Sequence, residues 1–378
     1  MILRDKHARA VHSIRMEQRP ILAARDINSG AELHSNTEIP VKTGNAVLDA
    51  NLYDLSRRFC GTHDPDTVLQ LLATVMNAAQ SELEGHDLSI MNSTLDEMFA
   101  AENMFRPYRN IRKVTCFGSA RIKADDPVYK LAYDFAKLCA DNGLMVITGG
   151  GPGLMQACNE GATAEHSFGL NITLPFEQAA NPAIAGSPHL MSFLYFFTRK
   201  LNLIKQSDAL VALPGGFGTM DEIYESITLI QTGKSTIFPI ILLDTPEETF
   251  WRRWKNFVVK ELQEAGLISE EDQCLLHHCS SAQEAFEHIA HFYSRFHSYY
   301  FNGDRVVIRM NGTLTEESLD WARHDFPDII YRNDLEQLPD DAADPDPVLA
   351  RMPRLQFSFA RRNFARLRQL IDHINDAD

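Results

Sequence analysis

The sequence predicts an α/β fold: a Rossmann-like doubly wound parallel sheet, preceded by a helical cap and followed by a small α/β extension. Three observations carry this expectation. From Lys113 onward, short apolar runs alternate with amphipathic stretches, the pattern of parallel βαβ units. Two of those runs end directly in glycine-rich turns, Thr148-Gly149-Gly150-Gly151-Pro152-Gly153 and Pro214-Gly215-Gly216-Phe217-Gly218-Thr219. The pattern changes on both sides of this region, which divides the chain into 1–111, 112–297 and 298–378.

Residues 1 to about 43 show weak periodicity and read as an arm that needs partner contacts to be ordered. Three helices are expected next: Asn45 to Cys60, Thr67 to Leu83 and Ser93 to Phe105. The second is opened by Asp64-Pro65, an acidic N-cap with proline in the first turn, and the third by Ser93-Thr-Leu-Asp96. The strands expected in the central region are Val114 to Phe117, Leu144 to Thr148, Gly169 to Leu174, Met191 to Tyr195, Ala209 to Leu213 and Pro239 to Leu243. Between the first two, Val128, Leu131, Phe135 and Leu138 recur at helical spacing and Gly143 closes the helix. Helices at Trp251 to Ala265 and about Ala282 to Phe296 complete the region. Beyond it, Val306 to Met310, a Thr313-Leu-Thr-Glu316 capping box, a helix to about His324 and Ile329 to Tyr331 read as a small βαβ appendage. Glu336 to Pro347, acidic and proline-rich, reads as a linker. Pro353 to Ile374 reads as one basic helix carrying Arg354, Arg361, Arg362, Arg366 and Arg368, either solvated or facing a second subunit.

Composition narrows the function classes. A chain of 378 residues, 44% hydrophobic, can bury one or two main cores. A net charge of −15 argues against a partner that is nucleic acid, because phosphate-backbone affinity rests on clustered Lys and Arg. Met1 to Ala10 shows no charged-then-apolar leader, and runs such as Phe238 to Leu243 are too short to cross a bilayer, so a cytoplasmic protein with no membrane partner is expected. The six cysteines include no Cys-x-x-Cys pair and do not form a disulfide framework. Cys274-Leu-Leu-His277-His278-Cys279 has zinc-binding residue types. On a helix, however, these side chains fan around the axis, so the segment reads as ordinary surface and core positions with no metal.

The two glycine turns each join a strand to a helix. There, backbone N–H groups can approach a phosphate and the helix terminus adds partial positive charge. In the second turn Thr219 can cap the helix and donate to a phosphate oxygen, while Glu222 follows in the first helical turn. A carboxylate does not help hold an anion, so Glu222 points to another task, such as a sugar hydroxyl. The alternative is an exposed pair of helix-start acids, Asp221 and Glu222. Upstream, Thr198-Arg199-Lys200-Leu-Asn202 places two cations at a helix start, where they oppose the helix dipole; that makes a ligand role attractive.

Taken together, Gly-Gly-Gly-x-Gly-Leu-Met at 149–155 and Pro-Gly-Gly-x-Gly-Thr-x-x-Glu at 214–222, with Arg199-Lys200 upstream, resemble the LONELY GUY family. These are cytokinin riboside 5'-monophosphate phosphoribohydrolases, long described as lysine decarboxylases. The resemblance covers about Lys113 to Phe296, and the flanking segments look like those of longer bacterial relatives, which include nucleotide 5'-monophosphate nucleosidases. It implies a hydrolase that cleaves the N-glycosidic bond of a nucleoside 5'-monophosphate to free base and ribose 5-phosphate, with Arg199 and Glu222 as the catalytic pair and no cofactor or metal. The 5'-phosphate is then expected on Gly216, Gly218 and Thr219, with Gly150, Gly151 and Gly153 lining the opposite side of the crevice. By the same resemblance Ser119 is expected to face the nucleotide, Lys200 to share substrate binding with Arg199, and Glu160 is the candidate neighbour of the base. The resemblance also implies a homo-oligomer, a dimer or an assembly of dimers, for which the apolar Phe193 to Phe197 suits a contact.

Two other classes fit parts of this pattern. One is a non-catalytic nucleotide or molybdenum-cofactor carrier, which has no stated need for Arg199 and Glu222. The other is an oligomeric regulator whose C-terminal arginines sense a charged effector. A true lysine decarboxylase lacks a pyridoxal phosphate constellation here, and Gly118-Ser-Ala lacks the Gly-x-Gly-x-x-Gly of a dinucleotide dehydrogenase.

Overall fold

The computed structural model describes residues 42–174, 179–247, 249–339 and 342–377. The expected N-terminal arm lies outside the described residues except for its last two positions. The chain divides into two compact units, with the boundary at Ala100/Ala101.

In the first unit, α1 (Ala46–Phe59) is capped by the Asn45 side chain and α2 (Pro65–Gln80) by Asp64. The sequence signals for both caps therefore mark real helix starts. The third helix, α3 (Gly85–Phe105), begins earlier than the Ser93 signal and ends in the second unit, where Ala101 and Phe105 are buried.

The second unit is built on a seven-stranded parallel sheet. Its strands are β1 (Lys113–Phe117), β2 (Met145–Thr148), β3 (Ser167–Ile172), β4 (Leu190–Phe193), β5 (Ala209–Ala212), β6 (Ile240–Leu243) and β7 (Leu276–Cys279), in the order β4-β3-β2-β1-β5-β6-β7. This is a Rossmann-like α/β fold. The connecting helices are α4 (Pro127–Asp141), α5 (Leu154–Ala162), α6 (Phe196–Lys205), α7 (Phe217–Gln231), α8 (Phe250–Phe257) and α9 (Ala282–Phe292). Central strands bury both faces, so alternate residues feed two cores. Val114, Cys116, Val146 and Ile241 pack with Phe135, Ala157 and Ile289 on one side, while Phe117, Ile147, Leu210 and Leu242 pack with Leu203 and Ile223 on the other. The chain winds outward from β1 to β4, then returns to β5 on the other side of β1. Ligands of such sheets bind at this reversal, beyond the strands' carboxyl ends.

Several expectations are corrected here. Residues 276–279 form the edge strand β7, paired in parallel with β6, rather than helix positions. Four residues with two histidines carry little strand signal, and β6 supplies the pairing. The helix expected to reach Phe296 ends at Phe292, and β8 (Phe296–Asn302) follows. The appendage is an antiparallel sheet, β10-β11-β9-β8, with β9 (Arg305–Met310), β10 (Tyr331–Leu338) and β11 (Arg354–Ser358). Its helix, α10 (Glu316–Asp325), is capped by Thr315 rather than Thr313. The basic helix expected over Pro353 to Ile374 is instead β11 followed by α11 (Phe364–Asp376). Leu355 and Phe357 alternate into the core at period two, a pattern hidden inside a longer helical run. Three of its arginines have partners within the chain: Arg354 donates to the carbonyls of Ala342, Ala343 and Ala350, Arg366 pairs with Asp328 at 2.9 Å, and Arg368 pairs with Asp372 at 2.8 Å. Within the expected linker, the Asp344 side chain is fully buried against Arg309 at 2.7 Å and Arg354 at 3.6 Å, so this stretch anchors the appendage. The appendage shares one core with the parallel sheet, since Val306, Ile308, Leu355, Phe357 and Leu367 cluster with Ile240, Ile223 and Ile230.

Candidate active site

Both glycine turns and the β1 turn meet at the carboxyl ends of β1, β2 and β5. Ser119 joins them through its backbone: its N–H donates to Pro214 O at 3.1 Å, and its carbonyl accepts from Leu154 N at 3.0 Å. The Ser119 hydroxyl accepts from Arg121 N at 3.1 Å. Gly153, at φ +68°, opens α5 with no room for a Cβ against Ser119 and Ala120. The first helix terminus is therefore packed against the β1 turn, and Leu154 N is already occupied by Ser119.

The second terminus is open. Gly216 precedes α7 without any side-chain cap, and a Cβ at Gly216 or Gly218 would meet nothing within 4 Å. Phe217 and Gly218 thus present N–H groups without an intrahelical partner to an uncrowded surface, the arrangement that attracts an anion. Thr219 is buried behind them, its side chain packed on Gly215.

Arg199, on α6, is held against both motifs. Its Nε donates to Leu170 O of β3 at 2.6 Å, and its Nη2 lies where a side chain at Gly149 would stand. The first glycine of the turn is needed because the guanidinium takes that space. Burial pulls the Arg199 pKa down, and the nearby Glu222 carboxylate opposes that pull.

Glu222 is 5% exposed in the first turns of α7, and its Oε2 is buried with no hydrogen-bond partner. Burial pushes its carboxyl up to about 7, against the opposing fields of Lys200 and Arg199. The alternative of an exposed acid pair is corrected by this burial, since only Asp221 is exposed. Asp221 instead accepts from Lys200 Nζ at 2.9 Å, and Glu225 Oε2 lies 2.6 Å from the same nitrogen. Burial lowers the Lys200 pKa, but these two carboxylates outweigh it and the net shift is upward. Lys200 therefore fixes α6 to α7 and adds positive field beside Glu222.

Gly150 and Gly151 are pinned on the β3 side. Asn181 donates from its backbone to Gly150 O at 2.9 Å and from Nδ2 to Gly151 O at 3.0 Å and Asn159 Oδ1 at 2.9 Å. Thr148 Oγ1 donates to Asn159 Oδ1 at 2.8 Å and accepts from Gly150 N at 3.0 Å. Sequence reasoning missed Asn159 and Asn181. Asn159 interrupts the buried stripe of α5, and Asn181-Pro182 is a turn signal, so both left a trace. Glu160 is not brought to this group. Its carboxylate accepts from Tyr129 Oη and Gln156 Nε2, each at 2.7 Å, which ties α5 to α4.

The family model described as possible lysine decarboxylase matches residues 155–289. A probable cytokinin riboside 5'-monophosphate phosphoribohydrolase of Oryza sativa subsp. japonica is 29% identical over 207 residues, 53% of this chain and 90% of that protein. A cytokinin riboside 5'-monophosphate phosphoribohydrolase of Arabidopsis thaliana is 34% identical over 97 residues, 26% of this chain and 44% of that relative's own length. Among solved structures, the molybdenum cofactor binding protein from Rippkaea orientalis is 20% identical and covers 47% of this chain and 94% of its own, with a TM-score of 0.34. The resemblance to the LONELY GUY family read from the two glycine motifs holds in these sequence matches.

Proposed function

We propose that this chain, a relative of the LONELY GUY phosphoribohydrolases, hydrolyses the N-glycosidic bond of a nucleoside 5'-monophosphate. The observation that carries the reading is the buried Glu222 carboxylate, its Oε2 without a hydrogen-bond partner, beside Arg199 and behind an uncapped helix terminus. The 5'-phosphate rests on the N–H groups of Phe217 and Gly218, with Thr219 behind them. Leaving of the base builds positive charge on the ribose, and the ionised Glu222 stabilises that charge and orients the attacking water. The C1'–N bond breaks, the water oxygen bonds to C1', and its proton ends on the departing base. Arg199 holds the substrate and meets the negative charge that develops on the base. Lys200, committed to Asp221 and Glu225, keeps α6 and α7 in register rather than sharing the substrate.

A second copy belongs to this reading. Leu194, Phe196, Phe197 and Leu201 are each about half exposed around the start of α6, and Phe217 is 96% exposed. Apolar side chains of this size beside a polar site suit a subunit contact.

The test offers AMP, CMP, GMP, UMP and isopentenyladenosine 5'-monophosphate, with the matching nucleosides, and measures free base and ribose 5-phosphate. Stoichiometric release from a monophosphate but not from its nucleoside supports the reading. Tight monophosphate binding with no release from any of them overturns it in favour of a carrier.

A further inference from the structure

A second group of chemistry-bearing side chains lies at the β7 edge of the sheet and plays no part in the proposed reaction. His277 and Cys279 stand two residues apart on β7, so both leave the same face of the strand. His278 leaves the other face and pairs with Asp244 at 2.7 Å. Glu284, in the first turn of α9, completes the group, and the His277 nitrogen, the Cys279 sulfur and a Glu284 oxygen all lie within 4.8 Å of one another.

We propose that His277, Cys279 and Glu284 form a binding site for Zn2+ or a similar borderline divalent cation, with one coordination position left open. Three protein ligands of nitrogen, sulfur and oxygen type are the donor set zinc accepts. A tetrahedral set places ligand atoms about 3.3–3.8 Å apart, so small side-chain rotations close this one. Two of the ligands are already oriented. Glu284 Oε2 accepts from Ser280 N at 2.8 Å and Ser280 Oγ at 3.2 Å, which leaves Oε1 for the metal. The His277 ring stacks on His288 with centroids 3.8 Å apart and planes 7° apart.

Charge also favours the site. On binding, the Cys279 thiol gives its proton to solvent as the sulfur–metal bond forms, so a divalent cation, a thiolate and a carboxylate sum to zero. Arg368, whose Nη2 lies 3.5 Å from His288 Nε2, has its guanidinium paired with Asp372 at 2.8 Å. Cys279 is buried while His277 and Glu284 are exposed, so metal enters from the solvent side and ties the sheet's edge strand to α9.

The experiment uses the full chain, free of any affinity tag and stripped with chelator, and titrates it with Co2+. The expected result is a thiolate-to-cobalt charge-transfer absorption that saturates at one equivalent and is displaced by Zn2+. His277→Ala and Glu284→Gln, both at exposed positions, are expected to weaken binding at least tenfold, and Cys279→Ser to abolish the absorption. Cys60→Ser, in the other unit, leaves it unchanged. If Cys279→Ser does not fold, His277→Ala and Glu284→Gln carry the test. Absence of the absorption in the native chain overturns the proposal, as does binding that survives these substitutions. Base release from nucleotides is read separately, so failure of the metal site leaves the nucleosidase reading intact.

Discussion

Glu222 sets the chemistry through one proton. Its carboxyl stands at about 7 because burial disfavours the anion more than Lys200 and Arg199 favour it. Only the anion stabilises a ribosyl cation, so kcat/KM is expected to rise with pH through about 7 and level off above it. A flat profile between about pH 5 and about pH 9 contradicts that role. Stability runs the other way. The unfolded carboxyl ionises near 4.5 and the folded one near 7, so between these values the native state holds the extra proton and stability falls as pH rises. Across the whole window the loss is at most about 3 kcal/mol. Glu222→Gln removes it, and this variant is expected to melt above the native chain at neutral to alkaline pH, a trade of stability for activity read directly by calorimetry.

At the scale of elements, the site is a meeting of three turns, and the glycines there have distinct jobs. Gly149→Ala puts a methyl group into the space of the Arg199 guanidinium, the far end of a flexible side chain. The fold is expected to survive while base release falls at least about tenfold, because the cation is displaced. Gly153→Ala meets backbone atoms of Ser119 and Ala120 at φ +68°, so melting temperature is expected to fall as well. Asn181→Ala leaves Asn159 Oδ1 and the Gly151 carbonyl short of a donor, with an expected loss of about 1–3 kcal/mol in denaturant unfolding.

These elements were legible in the sequence to different degrees, and for physical reasons. Strands β1, β2, β5 and β6 are fully buried, largely apolar runs, the first three of them running into glycine-containing turns, and all were expected within a residue or two. β7 was not, because an edge strand of Leu-His-His-Cys draws its form from β6 rather than from its own pattern. Arg199 and Glu222 could be named from their motifs, but the burial that lifts the Glu222 pKa depends on tertiary packing. The Asn159 and Asn181 network joins residues distant in sequence and left only weak local signals.

At the scale of the molecule, the C-terminal antiparallel sheet supports the site from behind. Phe364, the first residue of α11, fills the space where a side chain at Gly233 would stand, just past the end of the helix that carries Glu222. A chain cut near Phe301 is therefore expected to be insoluble or unfolded by circular dichroism, not a trimmed active domain. Asp344→Ala strips the buried Arg309 and Arg354 of their shared anion, and a loss of about 3–5 kcal/mol is expected in chemical denaturation.

The central claim is that Glu222 and Arg199 turn a nucleotide-binding crevice into a hydrolase, and base release from AMP by the native chain beside Glu222→Gln and Arg199→Ala tests it most directly. The account expects both variants to fold and the native chain to release adenine and ribose 5-phosphate. Glu222→Gln should still bind ribose 5-phosphate while turning over at least about 10²-fold more slowly. Equal release by the native chain and Glu222→Gln contradicts it.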